Sequence, residues 1–119
     1  MAQSIEILAM SQVIENVTVY EKHAVVIEPK TAAETTDLIE LRNHINYSYS
    51  CSTLGVGEEI PVEIYDVSKS AWKPYMVEGD RVKLAKDYEQ LHFRQVSALI
   101  RFVKPITVAT VGLVVSHPQ

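Results

Sequence analysis

The sequence predicts an all-β fold, a single antiparallel β-sandwich, jelly-roll-like in layout, with an apolar N-terminal arm or extra strand. Valine, isoleucine and threonine supply 33 of the 119 residues, and these β-branched side chains pack well on pleated surfaces. Apolar and polar residues alternate in several segments, as they do in half-buried strands. Turn residues recur about every 8–12 positions, a spacing typical of a sandwich or barrel.

The first half of the chain predicts three strands and one irregular segment. Residues 17–20 and 23–28 alternate as strands, the second ending before Pro29. Thr31–Glu34 has the form of a helix capping box, so residues 31–37 are expected to be a loop or a single helical turn. Residues 38–52 are expected to be strand, broken near Asn43. The alternating positions on one face of this segment are Ile39, Leu41, Asn43, Ile45, Tyr47, Tyr49 and Cys51.

The second half alternates more clearly. Gly55-Val56-Gly57 turns the chain into a strand at residues 60–65. Because Pro61 cannot donate a ladder hydrogen bond, this strand is expected to start at Pro61 or to lie at a sheet edge. Glu78-Gly79-Asp80 is a further turn signal. The remaining strands are predicted at residues 81–84, 90–94, 99–104 and 107–116.

Residues 1–16 are predicted to be the N-terminal arm or added strand, and residues 17–119 the sandwich domain. The arm gives neither a clean helix face nor a clean strand, yet it is too apolar for a solvated tail. It either packs on its own domain or reaches onto a partner or neighbouring subunit by adding a strand to an exposed edge. In the second case the partner contacts are expected from Ile5, Ile7, Leu8 and Met10.

Charge and composition narrow the function classes. The net charge is −4 and no basic stripe is present, which argues against nucleic-acid binding. No apolar run is long enough to span a bilayer, and Glu6 interrupts the apolar N-terminus, which argues against a secretory signal. Residues 1–59 carry net charge −6 (3 basic, 9 acidic) and residues 60–119 carry +2 (8 basic, 6 acidic). This asymmetry is either chance, or it favours head-to-tail contacts between subunits or docking on a partner of mixed charge.

No constellation of residues predicts an enzyme, a metal site or a cofactor. The histidines are scattered singly and none stands at metal-ligand spacing. Cys51 falls on the apolar face of its predicted strand, where cysteine usually acts as a small hydrophobe. The aromatic residues either close the ends of the sandwich core, which we favour, or form a sugar or nucleobase platform. These aromatic residues are Tyr47, Tyr49, Trp72, Tyr75 and Tyr88.

From about residue 45 to residue 115 the order of motifs resembles a known family. The motifs are a Gly-Glu turn, a tryptophan followed by a glycine hairpin, an Arg-Phe-Val-Lys strand and a final Val-Gly strand. They stand at Leu54–Glu59, Trp72–Asp80, Leu99–Pro105 and Val108–Leu113. This pattern is similar to that of small tailed-bacteriophage virion proteins of the β-sandwich head-decoration, or cement, type.

The resemblance implies a structural, non-enzymatic virion protein. Its expected partner is the major capsid protein, which it would bind from outside as a homo-oligomer, a dimer or a trimer. It would be made in the bacterial host cytoplasm and act on the capsid surface, without nucleic acid or membrane as partner. Two other functions stay open: another virion location (tail, head–tail joining or fibre attachment), and a carbohydrate- or surface-binding module.

Overall fold

The described residues form strands connected by turns and loops, without a helix. The computed structural model describes the backbone of residues 7–14 and 17–118 and the side chains of residues 23–117. The strands are β1 (Ile7–Ile14), β2 (Val17–Lys30), β3 (Glu34–Thr35), β4 (Ile39–Leu41), β5 (Tyr47–Cys51), β6 (Glu59–Asp66), β7 (Ala71–Pro74), β8 (Met76–Val77), β9 (Asp80–Arg81), β10 (Lys83–Ala85), β11 (Gln90–Phe93), β12 (Ala98–Lys104) and β13 (Val111–Pro118). The predicted all-β class is confirmed.

Two antiparallel sheets form the layers of a sandwich. The first has the order β1-β2-β13-β5-β11. The second has the order β10-β6-β12-β3, with β4 also paired to β12 and β7 also paired to β6. Strands β8 and β9 make a separate small hairpin. The sheets meet through their inner faces, where the rings of Tyr49 and Phe102 lie 4.8 Å apart between centroids.

The core follows the alternation that the sequence shows. Every second residue of β6 and β12 points inward, so Ile60, Val62, Ile100 and Phe102 are fully buried. Each such side chain contributes about 1.5–3 kcal/mol through burial of apolar surface. The buried residues of the first sheet that face them are Ile27, Tyr49, Phe93, Val111 and Leu113.

The predicted strand at residues 38–52 is broken as expected, and its two halves belong to different layers. Strand β4 pairs with β12 in the second sheet, whereas β5 pairs with β13 and β11 in the first. A turn at residues 43–45, closed by the Ile45 N–H donating to the Arg42 carbonyl oxygen at 3.1 Å, carries the chain across. Leu41 and Tyr49 are both buried, because both halves keep the same inward-facing positions.

Two local predictions in the first half are wrong in detail. Residues 17–30 form one continuous strand rather than two, since no glycine or proline interrupts them before Pro29. Residues 31–37 are a loop, one of the two alternatives expected, apart from the two residues of β3, and contain no helical turn. Glu34 instead lies in β3, which pairs with the end of β12, and its carboxylate forms an ion pair with Lys30.

The expectation for Pro61 is also wrong. Strand β6 begins two residues earlier, at Glu59, and lies between β10 and β12 rather than at an edge. Pairing with β12 covers only Val62–Ile64. Pro61 therefore sits just outside that ladder, where its missing N–H removes no hydrogen bond to β12.

The N-terminal segment continues the first sheet as β1. Its backbone pairs antiparallel with β2, from Ile7 opposite His23 to Ile14 opposite Val17. Ile5 lies outside the described residues, and so do the side chains of Ile7, Leu8 and Met10. The partner contacts predicted for these four residues stay a prediction.

Candidate interaction site at one end of the sandwich

Two loops meet at one end of the sandwich and expose apolar side chains. One loop connects β5 to β6, and the other connects β12 to β13. The first carries Val56, which is 86% exposed, and the second carries Ile106 and Val108, which are 76% and 93% exposed. We call these three residues the apolar tip. Exposed β-branched side chains on two loops that meet are candidates for burial against a partner.

The Glu58 carboxylate joins the two loops of the apolar tip. Its Oε1 accepts a hydrogen bond from the Gly55 N–H and its Oε2 accepts one from the Val108 N–H, each at 2.8 Å. These two backbone donors favour the charged form and lower the pKa of Glu58, with a smaller contribution from the Lys104 ammonium. One carboxylate therefore fixes the backbone on both sides of the exposed side chains.

A tight turn positions Glu58 for this role. The Glu58 N–H donates to the Gly55 carbonyl oxygen at 3.1 Å, which closes a four-residue turn around Val56. Gly57 supplies the positive φ of +81° that this turn requires. The predicted strand-entry turn is confirmed, and it points Val56 into solvent.

Lys104 supports the second loop from below. Its side chain is buried, with the whole residue 1% exposed. Its Nζ donates to the carbonyl oxygens of Ala32 at 2.7 Å and Pro105 at 3.1 Å, and to the Thr107 hydroxyl at 3.3 Å. All three ammonium donors are thus used. Burial lowers the pKa of Lys104, and Lys30 lowers it further, against the opposing effects of Glu58 and Glu34.

Thr107 connects the Lys104 ammonium to the backbone of the loop through further hydrogen bonds. Its hydroxyl donates to the Ala109 carbonyl oxygen at 2.8 Å, and its N–H donates to the Thr31 carbonyl oxygen at 2.9 Å. Thr107 is buried although it lies between the exposed Ile106 and Val108. These bonds explain why β13 begins at Val111 rather than at residue 107, since residues 105–110 are held by side chains instead of a ladder.

The sequence prediction missed the apolar tip. Val56 was expected only as part of a turn, and Val108 as part of the last strand. Of the residues predicted to contact a partner, Ile7, Leu8 and Met10 lie instead in β1, at one edge of the first sheet, and Ile5 lies outside the described residues. A usable signal was present, because an apolar β-branched residue between two glycines, as at Gly55-Val56-Gly57, is uncommon in a turn.

The aromatic residues divide between the core and the outer surface. Tyr49 is buried, and Tyr47 and Tyr75 pack partly buried against the core, which confirms the core interpretation for these three. The core interpretation is wrong for Tyr88, which is 74% exposed. Trp72 instead lies on the outer face of the second sheet, with its ring 5.2 Å from that of Tyr65. The Arg101 guanidinium stacks 4.3 Å from the Trp72 ring centroid. Arg101 Nε also donates to a Glu63 carboxylate oxygen at 2.7 Å.

Cys51 and His92 carry two further side chains of potential reactivity. Burial raises the pKa of the Cys51 thiol to about 11, and the nearby Glu89 charge adds to this effect. His92 is exposed, and its Nδ1 lies 2.8 Å from the Ser48 hydroxyl. Within residues 23–117 no group of three or more His, Cys, Asp or Glu side chains is arranged to hold a metal ion. The apolar tip exposes apolar side chains that a partner can bury, and hydrogen bonds hold the backbone of its two loops.

One finding on membrane-spanning helices and three comparisons with known proteins are all negative. Its described part contains no helix with the length and apolar character needed to cross a membrane. The chain matches no protein-family model, no curated protein and no solved structure.

Proposed function

We propose that this protein is a structural subunit of a tailed-bacteriophage virion, a capsid decoration or cement protein. It would bind the outside of the major capsid protein lattice and stabilise the head. The observation that carries the proposal is the apolar tip, which exposes Val56, Ile106 and Val108 on loops held by buried or doubly bonded side chains. Two of the segments with the family resemblance, Leu54–Glu59 and Val108–Leu113, form part of these loops.

A preformed apolar tip suits a cement protein. Burying one Val or Ile side chain is worth about 1.5–3 kcal/mol, so the three together give about 5–9 kcal/mol before any cost. Association itself costs at least about 4 kcal/mol, which leaves modest affinity for a single copy. Ordered loops keep that cost low, and an oligomer that engages several lattice positions gains avidity.

Co-sedimentation with capsids tests the proposal. Purified protein is titrated onto phage heads that lack it, and the bound copies are counted by quantitative gel. The proposal predicts saturation at a fixed stoichiometric ratio to the major capsid protein. Binding of only a few copies per particle would place the protein at the portal or tail instead. No binding at all would refute a virion role.

A carbohydrate- or surface-binding module is the second candidate. The Tyr65–Trp72 pair favours it, because aromatic rings on an outer sheet face can stack on sugar rings. Trp72 is the only tryptophan in the chain, so its fluorescence reports directly on this surface. A glycan that changes Trp72 emission at saturable concentration would support the module, whereas a decoration protein predicts no such change.

A further inference from the structure

The edge strands of the two sheets differ sharply in length. At the ends of the described sheets, β11 and β7 have four residues each, β10 and β4 have three, and β3 has two. Strand β1, at the other end of the first sheet from β11, has eight residues. Short edge strands are a common protection against pairing with another chain, and β1 lacks that protection.

The composition of β1 also differs from that of most other edges. Ile7–Ile14 contains no charged residue and no proline. The edge strands of the second sheet all carry such residues, for example Lys73 and Pro74 in β7 and Lys83 in β10. Strand β11 carries none, but it has only half the length of β1. Charged residues and prolines on an edge oppose strand addition, so β1 is the edge at which a further strand meets the least opposition.

We propose that β1 pairs antiparallel with β1 of a second copy across a two-fold axis, joining the two first sheets into one. Such a contact is isologous, which makes any edge automatically complementary to itself. The absence of charge in Ile7–Ile14 removes like-charge repulsion from this contact. The β1 edge can thus pair with β1 of a second copy through backbone hydrogen bonds alone, because no charged side chain opposes the contact.

The register of β1 against β2 locates the axis. The ladder shifts between Ile7 and Met10, and from Met10 to Ile14 it is regular. A bulge disturbs the free edge as well as the paired one, so the regular stretch is the part able to accept a strand. Its middle residue is Gln12, which pairs with Val19 in β2. A two-fold axis at Gln12 places Met10 opposite Ile14 of the second copy and forms about four to six main-chain hydrogen bonds, an even number because the axis makes each bond occur twice.

The dimer goes beyond the proposed function and is tested separately from it. It uses an edge of the first sheet, whereas capsid binding uses the apolar tip. A dimer presents two tips and so raises avidity for a lattice. A monomeric variant should still bind heads, with weaker apparent affinity. Failure of dimerisation and failure of capsid binding are therefore distinguishable.

Charge substitutions at Gln12 test the dimer in the full-length chain. Gln12→Lys and Gln12→Glu each place two like charges at the axis, and each is expected to raise the dimer dissociation constant about fivefold. A one-to-one mixture of the two variants is expected to recover dimers. Gln90→Lys, on β11 at the opposite edge of the same sheet, is the matched control and should leave the dimer unchanged. Sedimentation equilibrium over a range of concentrations measures all four samples.

The proposal is overturned if the wild-type chain stays a monomer of 13.4 kDa at every concentration. It is also overturned if Gln12→Lys dimerises as tightly as wild type, or if Gln90→Lys disrupts the dimer equally. A measurement on the wild-type protein covers the case in which both Gln12 variants misfold. Amide hydrogen exchange at residues 10–14 should slow as protein concentration rises, and concentration-independent exchange would contradict the dimer.

Discussion

Replacing Lys104 by methionine tests whether the buried ammonium holds the loop of the apolar tip. The substitution keeps an apolar stem and removes three donors, so the carbonyl oxygens of Ala32 and Pro105 and the Thr107 hydroxyl lose a partner. A buried acceptor left unsatisfied costs about 1–3 kcal/mol. The Thr107 hydroxyl is buried, whereas the two carbonyl bonds are part-buried and water recovers part of their loss. Removing the charge returns part of the dehydration cost of the ammonium. We expect a net loss of about 2–4 kcal/mol, which lowers the midpoint of thermal unfolding by roughly 6–20 °C.

Urea unfolding followed by Trp72 fluorescence measures this loss. Lys83→Met is the matched control. The Lys83 ammonium donates to the Glu59 carboxylate at 2.7 Å, and both side chains are more than a third exposed to solvent. An exposed ion pair contributes at most about 1 kcal/mol, so the control should change stability little. Equal destabilisation by the two substitutions would refute the structural role assigned to Lys104.

Three further predictions follow from individual contacts. The pKa of Glu58 is lower in the folded protein than in the unfolded chain. The ionised Glu58 side chain therefore stabilises the folded state fully above its unfolded pKa of about 4.3, and this stabilisation is lost as the pH falls through the folded pKa. The unfolding temperature of wild type should therefore fall more steeply between about pH 5 and pH 3 than that of Glu58→Gln, and equal slopes would contradict the double hydrogen bond. At pH 8 the Cys51 thiol should react with Ellman's reagent at least about 100-fold more slowly in the folded protein than in urea, because few thiolates are present; similar rates would show that the thiol is not buried. Gly112→Ala should lower stability by about 1–3 kcal/mol in urea unfolding, because its Cβ would lie 2.9 Å from the Ile27 carbonyl oxygen. Gly55→Ala, whose Cβ would lie 3.3 Å from Glu58 Oε1 rather than against backbone atoms, should cost less, and the reverse order would contradict this packing argument.

Turn chemistry and alternation made most of the fold predictable. The turn predicted at Glu78-Gly79-Asp80 joins β8 and β9, and both Glu78 and Gly79 adopt positive φ there. The strands predicted at residues 60–65 and 99–104 correspond to β6 and β12. Alternation did not reveal that the chain changes layers between Leu41 and Tyr47, because period two reports which side of a strand is buried and not which sheet the strand joins.

The apolar tip was not predictable, because it depends on side-chain contacts between distant parts of the chain. Residues 107–116 alternate as a strand would, yet the start of this segment is held by Lys104 instead of a ladder. The Glu58 carboxylate accepts a hydrogen bond from the N–H of Val108, which lies 50 residues later in the sequence. Nothing in local spacing indicates that these two groups meet. The expectation for Pro61 was wrong for the same reason, because the residue at which pairing with β12 ends depends on contacts between distant parts of the chain.

The central claim is that the apolar tip binds the capsid surface, and head binding by a tip variant tests it most directly. The variant replaces Val56, Ile106 and Val108 by serine, and its control replaces Met76 and Val77, two half-exposed apolar residues of β8, by serine. Co-sedimentation should show wild type and control saturating heads at the same ratio to the major capsid protein. The tip variant, folded as judged by Trp72 fluorescence, should bind at least about 100-fold more weakly. Unchanged occupancy by the tip variant would contradict the claim.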